Sequence, residues 1–326
     1  MTTAVVLVQL GTPDEPTPSA VKRYLRQFLS DQRVVDLPRW LWQPLLHGLI
    51  LPLRSPRSAA LYHHIWREDG LSPLYYYTRR QAEAVAHDLE PTVTVRYAMR
   101  YGQPALSTVL DELQDSGCDR LLIFPLFAHY SGATHASIVD NVYQTISSRR
   151  ALPTLRFAAP FFEDPLYLRA LVQRVEALAS SVRQLRDHFF LFSFHGLPQS
   201  HIDQGDPYQQ QCQITVTKLA TALSLPTEQW AIAFQSRFGR QKWLQPATDQ
   251  QLKSLPQQGH KQVVVICPGF VSDCLETLEE LGQQGRQLFL DHGGTSFQLL
   301  PCLNDSGAWL EALTGLVRQE LSGWGP

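Results

Sequence analysis

Apolar residues along this chain fall into two alternating rhythms. Short runs without helical spacing, such as residues 4–10 and 189–194, suit strands covered on both faces, as strands of a parallel sheet are. The same pattern predicts strands over 93–97, 120–126, 154–158, 230–235, 262–267 and 297–300. Between them, apolar residues recur every three or four positions and predict helices over 19–29, 56–66, 78–89, 105–115, 135–149, 165–180, 207–223, 272–290 and 308–321. Sustained strand–helix alternation indicates βαβ units, hence an α/β fold with mostly parallel sheets. The rhythm occurs twice, on either side of residues 149–153, without any sequence repeat. We therefore expect two similar doubly wound, Rossmann-like lobes, residues 1–153 and 154–303, with a ligand cleft between their strand ends.

Composition narrows this picture. With 326 residues, 44% hydrophobic and 18% charged, the chain can bury large cores and gives no case for disorder. A net charge of -2 argues against nucleic acid as the main partner. Cys118, Cys212, Cys267, Cys274 and Cys302 are odd in number, widely spaced and without a CxxC pair, so neither a disulfide framework nor a structural zinc site is expected, and a reducing compartment is. Residues 1–10 lack the basic leader of a signal peptide. The most apolar long region, 41–53, is interrupted by Pro44 and Pro52 and contains Gln43 and His47, too broken to span a bilayer. It suits either a core helix or an outer lip built from Trp40, Trp42, Leu45, Leu46, Leu49 and Ile50.

Two strand ends carry candidate chemistry. The run 189–194 delivers His195 to a loop in which Gly196, Pro198, Gly205 and Pro207 exclude regular structure until a helix begins near Asp206. A histidine at the carboxyl end of a buried strand is placed for proton transfer, or caps the strand by bonding a loop carbonyl. The second strand end, at Cys267, turns through Pro268 and Gly269 into a helix bearing Asp273, Glu276, Glu279 and Glu280. Helical spacing puts Asp273, Glu276 and Glu280 on one face. Acids also favour a helix N-terminus, with Ser272 as its cap. No GxGxxG fingerprint suggests a nucleotide.

The loop SFHGLPQSHIDQGDPYQQQC resembles the signature of the ferrochelatases through Ser193, His195, Gly196, Leu197, Pro198, Gly205, Asp206 and Tyr208. The stretch CPGFVSDCLETLEE is similar to their second signature through Pro268, Phe270, Asp273, Glu276, Thr277 and Leu278, with Cys274 where many members have His. A third segment, AFQSRFGRQKWL, matches through Gln235, Ser236, Arg237, Gly239 and Trp243. Weaker N-terminal matches are Leu10-Gly11-Thr12-Pro13, Arg54-Ser55-Pro56-Arg57 with Tyr62, Asp69-Gly70-Leu71-Ser72-Pro73, and Arg100-Tyr101. The segment LFAHYSGATHAS departs most: Phe127, Ala128, His129, Gly132, Ala133 and His135 replace the usual pattern, while Tyr130, Ser131 and Thr134 remain.

The resemblance implies insertion of Fe2+ into protoporphyrin IX to give protoheme and two protons. It makes His195 and Glu276 the catalytic and metal-handling pair, with Asp273 and Glu280 on a metal or proton path. Leu10, Arg54, Tyr62, Ser72, Arg100, Tyr130 and Trp243 become porphyrin contacts, and His129 or His135 an added contact or a neutral loop substitution. The implied partners are porphyrin and iron, with iron as substrate, no required cofactor and no iron-sulfur cluster. A cytoplasmic monomer or weak homodimer with peripheral contact to the inner membrane fits the poorly soluble substrate, and helix 304–326 is expected to complete the first lobe. The alternatives are a coproporphyrin ferrochelatase, whose members commonly carry Tyr where Leu10 stands, and a non-catalytic porphyrin or heme carrier.

Overall fold

Every side chain from Ala4 to Val8 is fully buried, which requires cover on both faces and puts this run in the middle of a sheet. The computed structural model describes residues 2–89, 91–177, 187–239 and 241–324. Strand β1 (Thr3–Gly11) pairs in parallel with β2 (Thr94–Tyr101) on one side and β3 (Arg120–Pro125) on the other. Strand β4 (Thr154–Phe157) adds outside β3, giving the order β2-β1-β3-β4. Ala4, Val6 and Val8 pack with Leu106, Leu110 and Leu113 of helix Leu106–Asp115 and with Ile138, Val142 and Ile146 of helix Ser137–Ile146. Helix Pro73–Leu89 packs against β1 and β2. Each fully buried Val or Leu contributes about 1.5–3 kcal/mol, so a charge anywhere in this run would undo more than one such side chain supplies.

The second sheet repeats the plan. Strand β5 (Phe189–His195) lies between β6 (Trp230–Gln235) and β7 (Gln262–Ile266), with β8 (Ser296–Leu299) outside β7, all parallel, in the order β6-β5-β7-β8. Phe189, Leu191, Val263 and Val265 pack with Leu252, Leu255, Leu281 and Phe289. On alternate positions, Phe192 meets the edge of Trp230, and Phe194 lies near Phe234. In each sheet the chain leaves the central strand first to one side and then to the other, which opens a crevice at the carboxyl ends of β1 and β3 and of β5 and β7.

The chain divides into two compact units, Met1–Phe127 with Ser131–Ala159 and Leu313–Pro326, and Ala128–Tyr130 with Pro160–Ala312. The divide expected after residue 153 therefore moves to 159, because β4 finds its partner in β3 rather than heading the second lobe. The helix expected to end at Ser180 runs over Pro165–Ala177, and its expected end lies outside the described residues.

Other differences have local causes. Residues 39–65 are helical despite Pro44, Pro52 and Pro56, through Arg39–Leu45, a wide-wound turn Leu46–Ile50 and Leu51–Ile65. There the Leu51 N–H reaches back five residues to the Leu46 carbonyl, a π-type bond that lets the helix pass the prolines. Trp42, Leu46 and Leu51 are buried while Trp40, Leu41, Leu45, Leu49 and Leu53 are exposed, so this region is both a core helix and an apolar lip. Beyond His195 the chain forms a short helix, Gln199–Asp203, where no regular element is expected. Among the described residues no helix is long and apolar enough to cross a membrane.

Candidate active site

His195 ends β5, half-buried, with its ring centre 6.4 Å from that of Phe270 in an edge-to-face arrangement. The loop that follows is pinned. The Gly196 N–H donates to Gln235 O at 2.8 Å, Leu244 N–H to Leu197 O at 3.0 Å, and Gln199 N–H to Lys242 O at 2.8 Å. Glycine is required at 196, because a Cβ there would sit 2.7 Å from Gln235 O and 3.3 Å from the Trp243 ring. Trp243 is buried, its Nε1 donating to Phe238 O at 2.9 Å. The ring is thus the footing of the His195 loop.

Glu276 comes from the strand beside. After β7 the chain turns at Pro268 and Gly269 and enters a wide-wound π segment, Glu276–Gly285, followed by helix Arg286–Asp291. Burial pushes the His195 imidazole below its ordinary value, and the charge of Glu276 pulls it partly back up. His195 is therefore a base of lowered proton affinity within electrostatic reach of Glu276.

The acids expected on one helical face are sorted to different partners, because the π winding begins only at Glu276 and Asp273 lies before it. Asp273 is buried and accepts from Thr277 Oγ1 at 2.9 Å, Cys302 N at 3.3 Å and Asn304 Nδ2 at 2.6 Å. Its carboxylate ties the turn to the 302–304 loop. Glu280 accepts from Ser236 N at 2.8 Å and Ser236 Oγ at 2.5 Å. Burial raises its carboxyl to about 7 against the Ser236 bonds, with Glu276 and Glu279 adding to the rise. The Cys274 thiol, beside Glu276, is pushed well up by burial.

The first unit holds most of the other expected residues. Leu10 is half-buried at the end of β1, next to Gly11, whose φ of 117° and whose absent Cβ let the Tyr101 carbonyl approach. Arg54 is exposed on helix Leu51–Ile65, and Tyr62 of the same helix is buried edge-on to Tyr24 and Trp66. Ser72 is buried and its Oγ accepts from Tyr75 N at 3.2 Å, capping helix Pro73–Leu89. Arg100 donates to Asp31 at 2.6 Å and to Ser137 Oγ at 2.7 Å. Burial raises the Asp31 carboxyl, but hydrogen bonds from Ser137, Tyr101 and the Arg33 N–H, with the charge of Arg100, outweigh it and leave Asp31 below its ordinary value. Nothing local in the sequence marks Asp31 or Ser137 as Arg100's partners.

Tyr130 belongs to the second unit, where its N–H donates to Gln211 Oε1 at 2.7 Å. In the divergent segment, His129 is buried with Nε2 2.8 Å from Thr215 Oγ1 and its ring against Phe194, and His135 is buried and lowered to about 4 by desolvation. His135 is thus neutral at physiological pH.

A family model described as ferrochelatase matches residues 2–321. The ferrochelatase of Sodalis glossinidius is 50% identical over 317 residues, covering 97% of this chain and 93% of that protein. That of Photobacterium profundum is 45% identical over 320 residues, covering 98% of each. Among solved structures, SirB from Bacillus subtilis with Fe3+ superposes with a TM-score of 0.59 at 11% identity, over 99% of this chain and 97% of that one. CbiX, described as the terminal enzyme for biosynthesis of siroheme in denitrifying bacteria, gives 0.52 at 14% identity, over 98% and 100%. These two share the fold.

Proposed function

The chain belongs to the ferrochelatase family, and from that premise we propose that it inserts Fe2+ into protoporphyrin IX, forming protoheme and releasing two protons, with His195 and Glu276 as the working pair. A free porphyrin carries two pyrrole N–H protons that must leave as the metal enters. A base of low affinity on one strand end and a carboxylate within its electrostatic reach meet that need, and this pairing is the observation that supports the assignment. His195 takes a proton from the ring. Glu276 takes the second or passes Fe2+ forward, since carboxylate oxygen and imidazole hold Fe2+ without the permanence of thiolate. Glu280, at about 7, both gives and accepts a proton near neutrality and serves as the next station.

Leu10, Arg54 and Tyr130 are the proposed porphyrin contacts, with Arg54 on a propionate. Tyr62, Ser72, Arg100 and Trp243 are likewise proposed as porphyrin contacts, each also held by a protein partner. Asp273 serves the turn that presents Glu276. Iron is substrate, and the reaction so written needs no resident cofactor. The exposed Trp40, Leu41, Leu45, Leu49 and Leu53 support a cytoplasmic protein resting on the inner membrane surface, where a poorly soluble porphyrin partitions.

The test is anaerobic incubation of the purified chain with Fe2+ or Zn2+ and either protoporphyrin IX or coproporphyrin III, followed by metalloporphyrin absorbance. Preference for protoporphyrin is expected, with kcat reduced about 10²–10⁴-fold in His195→Ala and in Glu276→Gln. Porphyrin binding without insertion above the uncatalysed rate would mark a carrier instead, and preference for coproporphyrin would move the chain to the other branch.

A further inference from the structure

Gln235 has no part in the chemistry above, yet it touches both segments that carry the working pair. It stands directly beside His195 in the β5–β6 register. Its backbone carbonyl accepts from Gly196, one residue after His195. Its side-chain Oε1 accepts from Ser193 Oγ at 2.7 Å, two residues before His195, and its Nε2 donates to the Glu276 carbonyl at 2.9 Å. Ser193 Oγ lies in turn 2.8 Å from Thr248 Oγ1. Gln235, Ser193 and Thr248 are all buried. The orientation of the amide is fixed by its partners, because the Glu276 carbonyl only accepts and so must face the NH2.

We propose that Gln235 is a positioning residue for metal insertion, its amide holding the strand end of His195 and the backbone of Glu276 at one spacing. The proposal rests on His195 and Glu276 being the working pair. Backbone pairing already joins β5 to β6, so the sheet does not need the amide. What the amide adds is a link to the Glu276 segment. A second hold follows one residue on: Ser236 sits at φ 64°, a left-handed conformation uncommon for a residue with a side chain, and in that conformation its N–H and Oγ both reach Glu280. Such a polar network fixes one arrangement where apolar packing would accept several.

Gln235→Met keeps the length of the side chain without the amide. Gln235→Glu keeps its shape and the acceptor for Ser193 while removing the donor to Glu276 when ionised. For the full chain, steady-state zinc insertion would be measured alongside the His195 ring titration by NMR, with His195→Ala and Glu276→Gln in parallel. Both Gln235 variants are expected to lose about tenfold or more in kcat with porphyrin KM within about twofold, and the His195 titration midpoint is expected to move while thermal midpoints stay near the parent. Unchanged kcat and an unchanged His195 titration would overturn the proposal, as would parallel losses of kcat, porphyrin affinity and thermal midpoint. Should His195→Ala and Glu276→Gln insert metal at the parent rate, the working-pair reading fails on its own, and the split of kcat against KM in the Gln235 variants still decides whether the amide serves insertion.

Discussion

At Glu280 a carboxyl is kept where its charge is costly. Its value rises from 4.5 to about 7 on folding, chiefly through desolvation. Below pH 4.5 the group is protonated in both folded and unfolded chains and costs nothing. Between pH 4.5 and about 7 the unfolded chain releases the proton first, so stability falls as pH rises, and above 7 the loss is complete at roughly 3 kcal/mol or less. Glu280→Gln, which still accepts from Ser236, should therefore raise the thermal midpoint at pH 8 and leave it nearly unchanged at pH 4.5; an equal gain at both pH values would contradict the linkage. The placements of His195 and Glu276 were legible, because His195 ends a buried run just before Gly196 and Pro198, and Glu276 follows another buried run and the Pro268-Gly269 turn. The duties of Gln235 were not, since its side-chain partners lie 42 and 41 residues away and no local pattern encodes them. Asp273 shows the opposite failure: helical spacing grouped it with Glu276, while its bonds run to Cys302 and Asn304, 29 and 31 residues on.

Strands were the most readable elements, because burial on both faces leaves an unmistakable apolar run, and the sizeable miss is β2, which extends to Tyr101 rather than ending at 97. Helices wound wider than the ideal were not readable. Apolar spacing near four residues does not separate an α-helix from the π segments Leu46–Ile50 and Glu276–Gly285. The two glycines that look alike in sequence, Gly48 and Gly196, then part company. A Cβ on Gly48 meets nothing within 4 Å, whereas on Gly196 it collides with the Gln235 carbonyl. Gly48→Ala is expected to stabilise the protein by about 0.5–1 kcal/mol. Gly196→Ala is expected to cost about 1–3 kcal/mol by prising β5 from β6, and to lower insertion as His195 shifts. Urea denaturation and the zinc assay on both variants check the contrast, and a Gly196→Ala variant of parental stability would remove the argument for close approach at this loop.

On the scale of the molecule, the alternation of strands and helices announced two parallel sheets, but not how the end of the chain is shared between the lobes. Helix Gly307–Glu320 is divided, its residues to Ala312 grouping with the second unit and those from Leu313 with the first. In the first unit, Leu313, Leu316 and Val317 are buried, Arg120 Nη1 donates to Trp324 O at 2.7 Å, Ala159 N donates to Glu320 Oε1 at 3.0 Å, and the Arg156 guanidinium lies 4.4 Å from the centre of the Trp324 ring. Deleting residues 313–326 should thus lower the first thermal transition by at least about 10 °C or abolish soluble expression, on the order of what losing several buried apolar side chains does to a lobe; a truncated chain with the parent's melting curve would show that the segment is dispensable. The same division sets a timetable for biosynthesis. The first lobe is translated first yet lacks its closing segment until roughly 150 further residues have been added, about 8–30 s at ordinary elongation rates. During that interval the apolar surface that Leu313, Leu316 and Val317 cover is open to chaperones, and a ribosome stalled before Leu313 leaves it uncovered.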